Sequence, residues 1–203
     1  MSTPRIEKTV ISGVFSLDGQ DFDVDNNVWL VGDDDEVLVI DAPHRAEPIV
    51  EAIGGRRVAA IVLTHGHNDH ITAAVALRDA VDAPIWFNPA DRMLWDVVHP
   101  DAAPDAEIAD GTRFAVAGTT LHALHTPGHS PGSTCLHAPD LNTVFTGDTL
   151  FCGGPGATGR SFSDKPTILR SITGRLLSLP GDTVVRTGHG DDTTIAAESG
   201  NIS

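Results

Sequence analysis

Thr64-His65-Gly66-His67-Asn68-Asp69-His70 is the stretch on which the reading of this chain turns. His65 to His70 packs three histidines and one aspartate into six residues, directly after the apolar run Ala59 to Leu63. Imidazole suits zinc, iron, copper and nickel, and carboxylate suits hard or borderline cations. His65 and His67 are two apart, so on extended backbone they point the same way and can share one ion. Asp69 and His70 fall at the turn into a helix and can serve a second ion a few ångströms away.

Three more candidate ligands each follow a short apolar run. His129 lies in Thr126-Pro127-Gly128-His129-Ser130-Pro131-Gly132, a turn stiffened by two prolines and two glycines. Asp148 follows the run ending at Thr146-Gly147, and its two oxygens could touch both ions. His189 sits between Gly188 and Gly190, where close backbone approach is easy. Seven such side chains converging would hold two divalent ions.

The spacing of apolar residues predicts alternating strands and helices. Strands are expected over residues 9–17, 27–31, 37–40, 58–63, 84–87, 112–116, 119–125, 133–137, 143–146 and 183–186. Asp18 to Asp25 reads as polar turn. Helices are expected over 47–53, from Asp69 through Leu77, from Asn88-Pro89 to Val98, over 164–179, and briefly over 193–198. The helix after Asp164 is the clearest, with Ile168, Leu169, Ile172, Leu176 and Leu179 on one stripe. Residues 99–111, rich in Asp, Ala and Pro, read as a connector between two similar halves of one domain spanning 1–203. Layered α/β architecture follows. The candidate ligands all stand just after strands, where open α/β sheets place their ligands.

Lys plus Arg number 13 against 28 Asp plus Glu, a formal charge of −15, and the only lysines are Lys8 and Lys165. A nucleic-acid partner needs the opposite footprint, so none is expected. Met1 to Lys8 is polar with no apolar stretch after it, and no run reaches the ~18 apolar residues of a membrane span. No membrane partner and a cytoplasmic location are the expectation. Cys135 and Cys152 share no metal-type spacing and read as inert buried thiols, with Cys152 near the expected pocket. His122, His125 and His137 read as structural or surface residues. His44 could face the mouth of the site.

His65 to His70 resembles the His-x-His-x-Asp-His motif of the metallo-β-lactamase superfamily. The Pro-Gly-His turn at 127–129, the Gly147-Asp148 strand end and Gly188-His189-Gly190 are similar to that family in the same order. The resemblance covers the chain from its first strand to Thr194. It implies a four-layer αβ/βα sandwich with the site at one edge. It also implies a division of ligands: His65, His67 and His129 for the first metal, Asp69, His70 and His189 for the second, and Asp148 bridging.

Within the superfamily the chain most resembles the glyoxalase II group, the hydroxyacyl-thiol hydrolases, through Thr126 to Ser133, Thr146 to Phe151 and Gly188 to Thr194. That implies a binuclear hydrolase of a small-molecule thiol ester, such as an S-hydroxyacyl or S-formyl adduct of glutathione or mycothiol. The cofactors would be two divalent ions, zinc first, with iron or manganese compatible. Metal-generated hydroxide would be the nucleophile. Asp69 and Asp148 would hold or move the proton, Asp41 would orient a ligand imidazole from behind, and Arg160 would meet the carrier's carboxylate. Two alternatives share the fold: a mononuclear iron persulfide dioxygenase using His67, His129 and Asp148, and a lactone or β-lactam hydrolase.

Overall fold

The computed structural model describes residues 3–202. Met1 and Ser2, part of the polar N-terminal segment, and Ser203 lie outside it. The chain opens with a long antiparallel hairpin, β1 (Arg5–Leu17) and β2 (Gln20–Gly32), paired along its whole length from Arg5–Gly32 to Leu17–Gln20. This corrects the expectation of a polar turn over 18–25: only Asp18 and Gly19 turn, both at positive φ. Asp21-Phe22-Asp23-Val24-Asp25 alternates with period two, as a strand does, and the aspartates point to water.

Next come β3 (Glu36–Ile40), α1 (Glu47–Ile53), β4 (Arg57–Val62), α2 (Asn68–Ile71), α3 (Ala74–Val81), β5 (Ile85–Phe87), α4 (Arg92–Val98) and β6 (Ala106–Glu107). The helix expected through Leu77 is thus two, broken at Thr72-Ala73. The 99–111 connector contributes β6, which pairs with β5. The first sheet runs β1-β2-β3-β4-β5-β6, parallel from β3 onward.

The second sheet is built from β7 (Arg113–Val116), β8 (Thr119–His125), β9 (Thr134–Ala138), β10 (Thr143–Gly147), β13 (Val184–Thr187) and β14 (Thr193–Thr194), in the order β14-β13-β10-β9-β8-β7. Between β10 and β13 lie a small ribbon, β11 (Leu150–Phe151) with β12 (Gly154–Pro155), and helix α5 (Lys165–Ser171). Asp164 caps α5 by accepting from the Thr167 amide at 3.0 Å. The helix continues as a wider π turn over Ile172–Leu176, closed by the Leu177 amide on the Ile172 carbonyl. A short α6 (Ile195–Glu198) is the last helix among the described residues.

Three apolar clusters among the described residues mark three interfaces between four layers. Ile49, Ile53, Leu77 and Trp95 from the helices pack on Val37, Val39 and Ile61 of the first sheet. Leu38, Ile40 and Val62 on that sheet's other face meet Phe114, Leu121, Leu136 and Phe145 of the second. Ile168, Ile172, Leu176 and Ile195 cover the far side of the second sheet at Val144 and Val185. The αβ/βα sandwich follows from this: the two sheets pack face to face and the helices, each apolar on one stripe, form the outer layers. Among the described residues no helix is long and apolar enough to cross a membrane.

Candidate metal centre

Parallel pairing sets the site. β3 and β4 run parallel in one sheet and β10 and β13 in the other, so all four release their loops at one edge of the sandwich. His65 to His70 follows β4, Asp148 follows β10, His189 follows β13, and His129 occupies the turn between β8 and β9. The structure brings all seven candidate ligands together. Donor atoms of His65, His67 and His129 fall within 4.8 Å of one another, as do those of Asp69, His70 and His189, and those of His65, His70 and Asp148.

The outward nitrogens show which atoms are free to bind. Nδ1 of His129 donates to the Ala157 carbonyl at 2.9 Å, and Nδ1 of His189 to the Asp25 carbonyl at 2.8 Å. Nδ1 of His70 lies 2.8 Å from Asp41 Oδ2, and Nδ1 of His65 lies 3.1 Å from Thr64 Oγ1. These partners each accept the Nδ1 proton in a hydrogen bond and turn Nε2 inward, where it offers a lone pair whenever the ring is neutral. His67 is reversed: its Nδ1 faces inward, 3.1 Å from His65 Nε2 and 3.0 Å from His129 Nε2. Likewise His70 Nε2 and His189 Nε2 face each other at 3.2 Å. Lone pairs at these separations repel unless a cation or a proton lies among them. Asp69 Oδ1 and Asp148 Oδ1 are buried with no hydrogen bond of acceptable geometry, so the donor set fits a metal.

Asp148 stands between the two trios. Its Oδ1 is 3.3 Å from His70 Nε2, and its Oδ2 is 3.5 Å from His129 Nε2 and 3.4 Å from His189 Nε2. Gly188 makes this approach possible, because a Cβ there would collide with the Asp148 carboxylate. Asp41 holds a left-handed φ of 64°, unusual for a residue with a side chain. Its carboxylate accepts from the Thr64 amide at 2.7 Å and Thr64 Oγ1 at 2.9 Å while engaging His70.

Burial pushes the His65 imidazole well below its ordinary range and His67 down to about 3. Burial works against protonation of His189 too, but Asp148 and Asp69 outweigh it and hold the ring at about 10. His70 is raised for the same reason, by Asp148, Asp69 and Asp41 against burial. Burial opposes ionisation of Asp69 and Asp148, yet the facing histidines keep both carboxylates below their usual range.

A cavity of about 420 Å³ opens over the cluster, lined by Phe15, Val24 and Ala157 beside His67, Asp69, His129, Asp148 and His189. The hairpin that supplies Phe15 and Val24 is pinned to the ligand loop by Asn68, whose side chain accepts from the Ser16 amide and donates to the Val14 carbonyl, both at 2.9 Å.

Other sequence candidates lie apart. Arg160 is not among the cavity-lining residues: its guanidinium stacks over Phe22 at 4.6 Å and donates to Gln20 Oε1 at 3.0 Å, tying the 157–163 loop to the hairpin tip. His44 reaches the cluster indirectly, with Nε2 2.8 Å from Asn26 Oδ1. Cys135 is buried, as expected, but Cys152 is exposed. This corrects the buried reading of Cys152, which stands in the bend of the β11–β12 ribbon. Two residues were given no role at the site in the sequence. Asn26, on β2, donates from Nδ2 to Asp69 Oδ2 at 3.1 Å. Asp91, at the start of α4, touches two of the ligand loops. Asn26 carries no local motif, and the Asn88-Pro89-Ala90-Asp91 pattern reads only as a helix start, with Asp91 as an acid in its first turn.

The family model described as Metallo-beta-lactamase superfamily matches residues 22–189. The chain belongs to the metallo-β-lactamase superfamily. Members of that superfamily are mostly metal-dependent hydrolases. Hydroxyacylglutathione hydrolase GloC of Haemophilus influenzae is 33% identical over 188 residues, which are 85% of this chain and 89% of that protein. Among solved structures, BLEG-1 B3 metallo-β-lactamase is 27% identical at a TM-score of 0.80, over 95% of this chain and 98% of its own. TTHA1623 in a di-iron-bound form is 32% identical at a TM-score of 0.78, over 88% and 94%. The superfamily fold accounts for both sheets and for the edge at which the histidines and aspartates gather.

Proposed function

We propose that this protein hydrolyses a thioester, such as the S-hydroxyacyl or S-formyl adduct of a low-molecular-weight thiol, with two divalent cations held at the cluster. His65, His67 and His129 hold the first, Asp69, His70 and His189 hold the second, and Asp148 lies between them. The observation that carries the two-cation reading is Asp148, whose Oδ2 approaches His129 at 3.5 Å and His189 at 3.4 Å, one from each trio. The thioester reading is supported by the identity with GloC. Zinc is the first candidate, with iron, as in TTHA1623, and manganese compatible with the same donors.

Divalent ions bound there lower the pKa of water and polarise a carbonyl. The chain's own side chains do the rest. Phe15, Val24 and Ala157 line the cavity over the cluster and would give the acyl group an apolar wall to rest against. Asp41 fixes the direction of the His70 ring, and Asn26 that of the Asp69 carboxylate. The reaction replaces the acyl C–S bond with a C–O bond and moves one proton from water to the departing sulfur. Asp69 and Asp148 are the carboxylates within reach of that proton, since each keeps one buried oxygen free of hydrogen bonds.

The test is a substrate panel of hydroxyacyl and formyl thioesters of glutathione and mycothiol beside a β-lactam, a lactone and a persulfide. The expected result is thioester hydrolysis that a chelator abolishes and added divalent metal restores. Faster turnover of the β-lactam or lactone would overturn the substrate class. Oxygen uptake with the persulfide, at one iron per chain and without thioester hydrolysis, would overturn the reaction.

A further inference from the structure

Asp91 is buried where two ligand-bearing loops meet. Its Oδ2 accepts from the Gly66 amide at 2.8 Å and from Ser130 Oγ at 2.6 Å, and its Oδ1 accepts from the Gly132 amide at 2.5 Å. Gly66 lies between His65 and His67, and Ser130 follows His129. One carboxylate therefore spans the loop that carries two members of the first trio and the turn that carries the third. Both glycines are packed against it. A Cβ at Gly66 would stand 2.9 Å from Asp91 Cβ, and one at Gly132 would stand 2.7 Å from Asp91 Cγ.

The ordinary role for an aspartate here would be to cap its own helix. It does not: Asp91 makes no side-chain capping bond to α4, and Asn88 caps the turn before it by accepting from the Ala90 amide. All three hydrogen bonds of the carboxylate go to the two loops. An amide could not replace it, because its NH2 would face an N–H or O–H donor at either oxygen position.

We infer that Asp91 is a positioning residue for the first cation alone, holding the His65–His67 loop and the His129 turn at the separation that lets three imidazole nitrogens share one ion. No side-chain contact of Asp91 reaches Asp69, His70 or His189. The inference rests on the two-cation reading given above. Outer partners of metal ligands commonly set affinity by about 10- to 100-fold.

The experiment is a competitive chelator titration of the whole protein with zinc, repeated with cobalt for its visible absorption. It compares wild type with Asp91→Asn, with Ser130→Ala as a milder variant that keeps the carboxylate, and with Leu94→Ala as a control for packing loss beside Gly66. The same substitution is also made in His189→Ala and His129→Ala backgrounds, so that each remaining equivalent is assigned. Asp91→Asn is expected to weaken the equivalent that survives in His189→Ala by about 10- to 100-fold. It is expected to leave the one that survives in His129→Ala unchanged. Ser130→Ala should shift the same equivalent in the same direction by less, a reading that stands even if Asp91→Asn does not fold. Equal weakening of both equivalents, no change in either, or an equal effect from Leu94→Ala would overturn the inference. A wild type that binds no pair of ions would instead overturn the reading beneath it.

Discussion

The two halves of the cluster use one kind of side chain in opposite electrical settings. His65 and His67 lie deep, and burial drives them to the neutral form, His67 down to about 3. His70 and His189 face Asp69 and Asp148 and are held in the protonated range, His189 at about 10. Residue type alone does not fix proton affinity; the neighbouring carboxylates do. The first half offers a cation bare nitrogens. The second must give up protons before it can accept one, and the acids that raise its pKa are the same acids that would share the cation.

Removing a member of the first half should have the largest effect. His67→Ala deletes the inward Nδ1 that faces both His65 and His129. The expected outcome is loss of one metal equivalent and a fall in thioester turnover beyond ~100-fold, the upper range for losing a mere outer partner. Full metal content with retained turnover would break the assignment of the first half.

Asp41→Asn should act on the other half. It weakens the hold on His70 Nδ1, now bonded at 2.8 Å, and should reduce affinity for one equivalent by about 10- to 100-fold. That equivalent should be the one that also disappears in His189→Ala. Loss of the other equivalent would mean that the halves are wrongly divided.

A third contrast is in pH. In chelator-treated protein the His189 pKa is raised from 6.5 to about 10. A raised histidine stabilises the fold fully below its unfolded pKa, and that stabilisation is lost as pH rises through the folded value. The Tm of the metal-free protein should therefore drop between pH 6.5 and 10, and His189→Gln should flatten the drop. A Tm that rises over that window would contradict the charge difference between the halves.

The smallest effect expected is that of Arg160→Ala. Stacking on Phe22 and the bond to Gln20 are at the surface, worth about 0.5–1 kcal/mol. Both metal affinities should stay unchanged. If Arg160 meets an anionic carrier, KM for a glutathione thioester rises more than kcat falls; an unchanged KM leaves it as a tie between loop and hairpin.

How much of this was legible in the sequence depends on where each signal lies. His65 to His70 was readable because spacing of two on extended backbone, followed by a helix start, is local. The glycines and prolines around His129 and His189 announced turns, and the strand ends before Asp148 and His189 announced an edge. The site roles of Asn26 and Asp91 were not readable, since each meets its partner only through tertiary packing, Asn26 from β2 across to Asp69 and Asp91, a first-turn acid by sequence, from the start of α4 across to two turns. The arm over 20–25 was misread for a different reason. Its aspartates looked like turn residues, although Phe22 and Val24 alternate among them with the period of a strand. Cys152 was read as buried because a free thiol packs as a small hydrophobe, but the ribbon bend turns it outward.

The most direct test of the two-cation cluster is elemental analysis of metal per chain, on protein purified without chelator or added metal. The expected result is two equivalents in the wild type and one in each of His129→Ala and His189→Ala. A wild type that holds a single equivalent, lost entirely in both variants, would contradict it and make the seven side chains one mixed site.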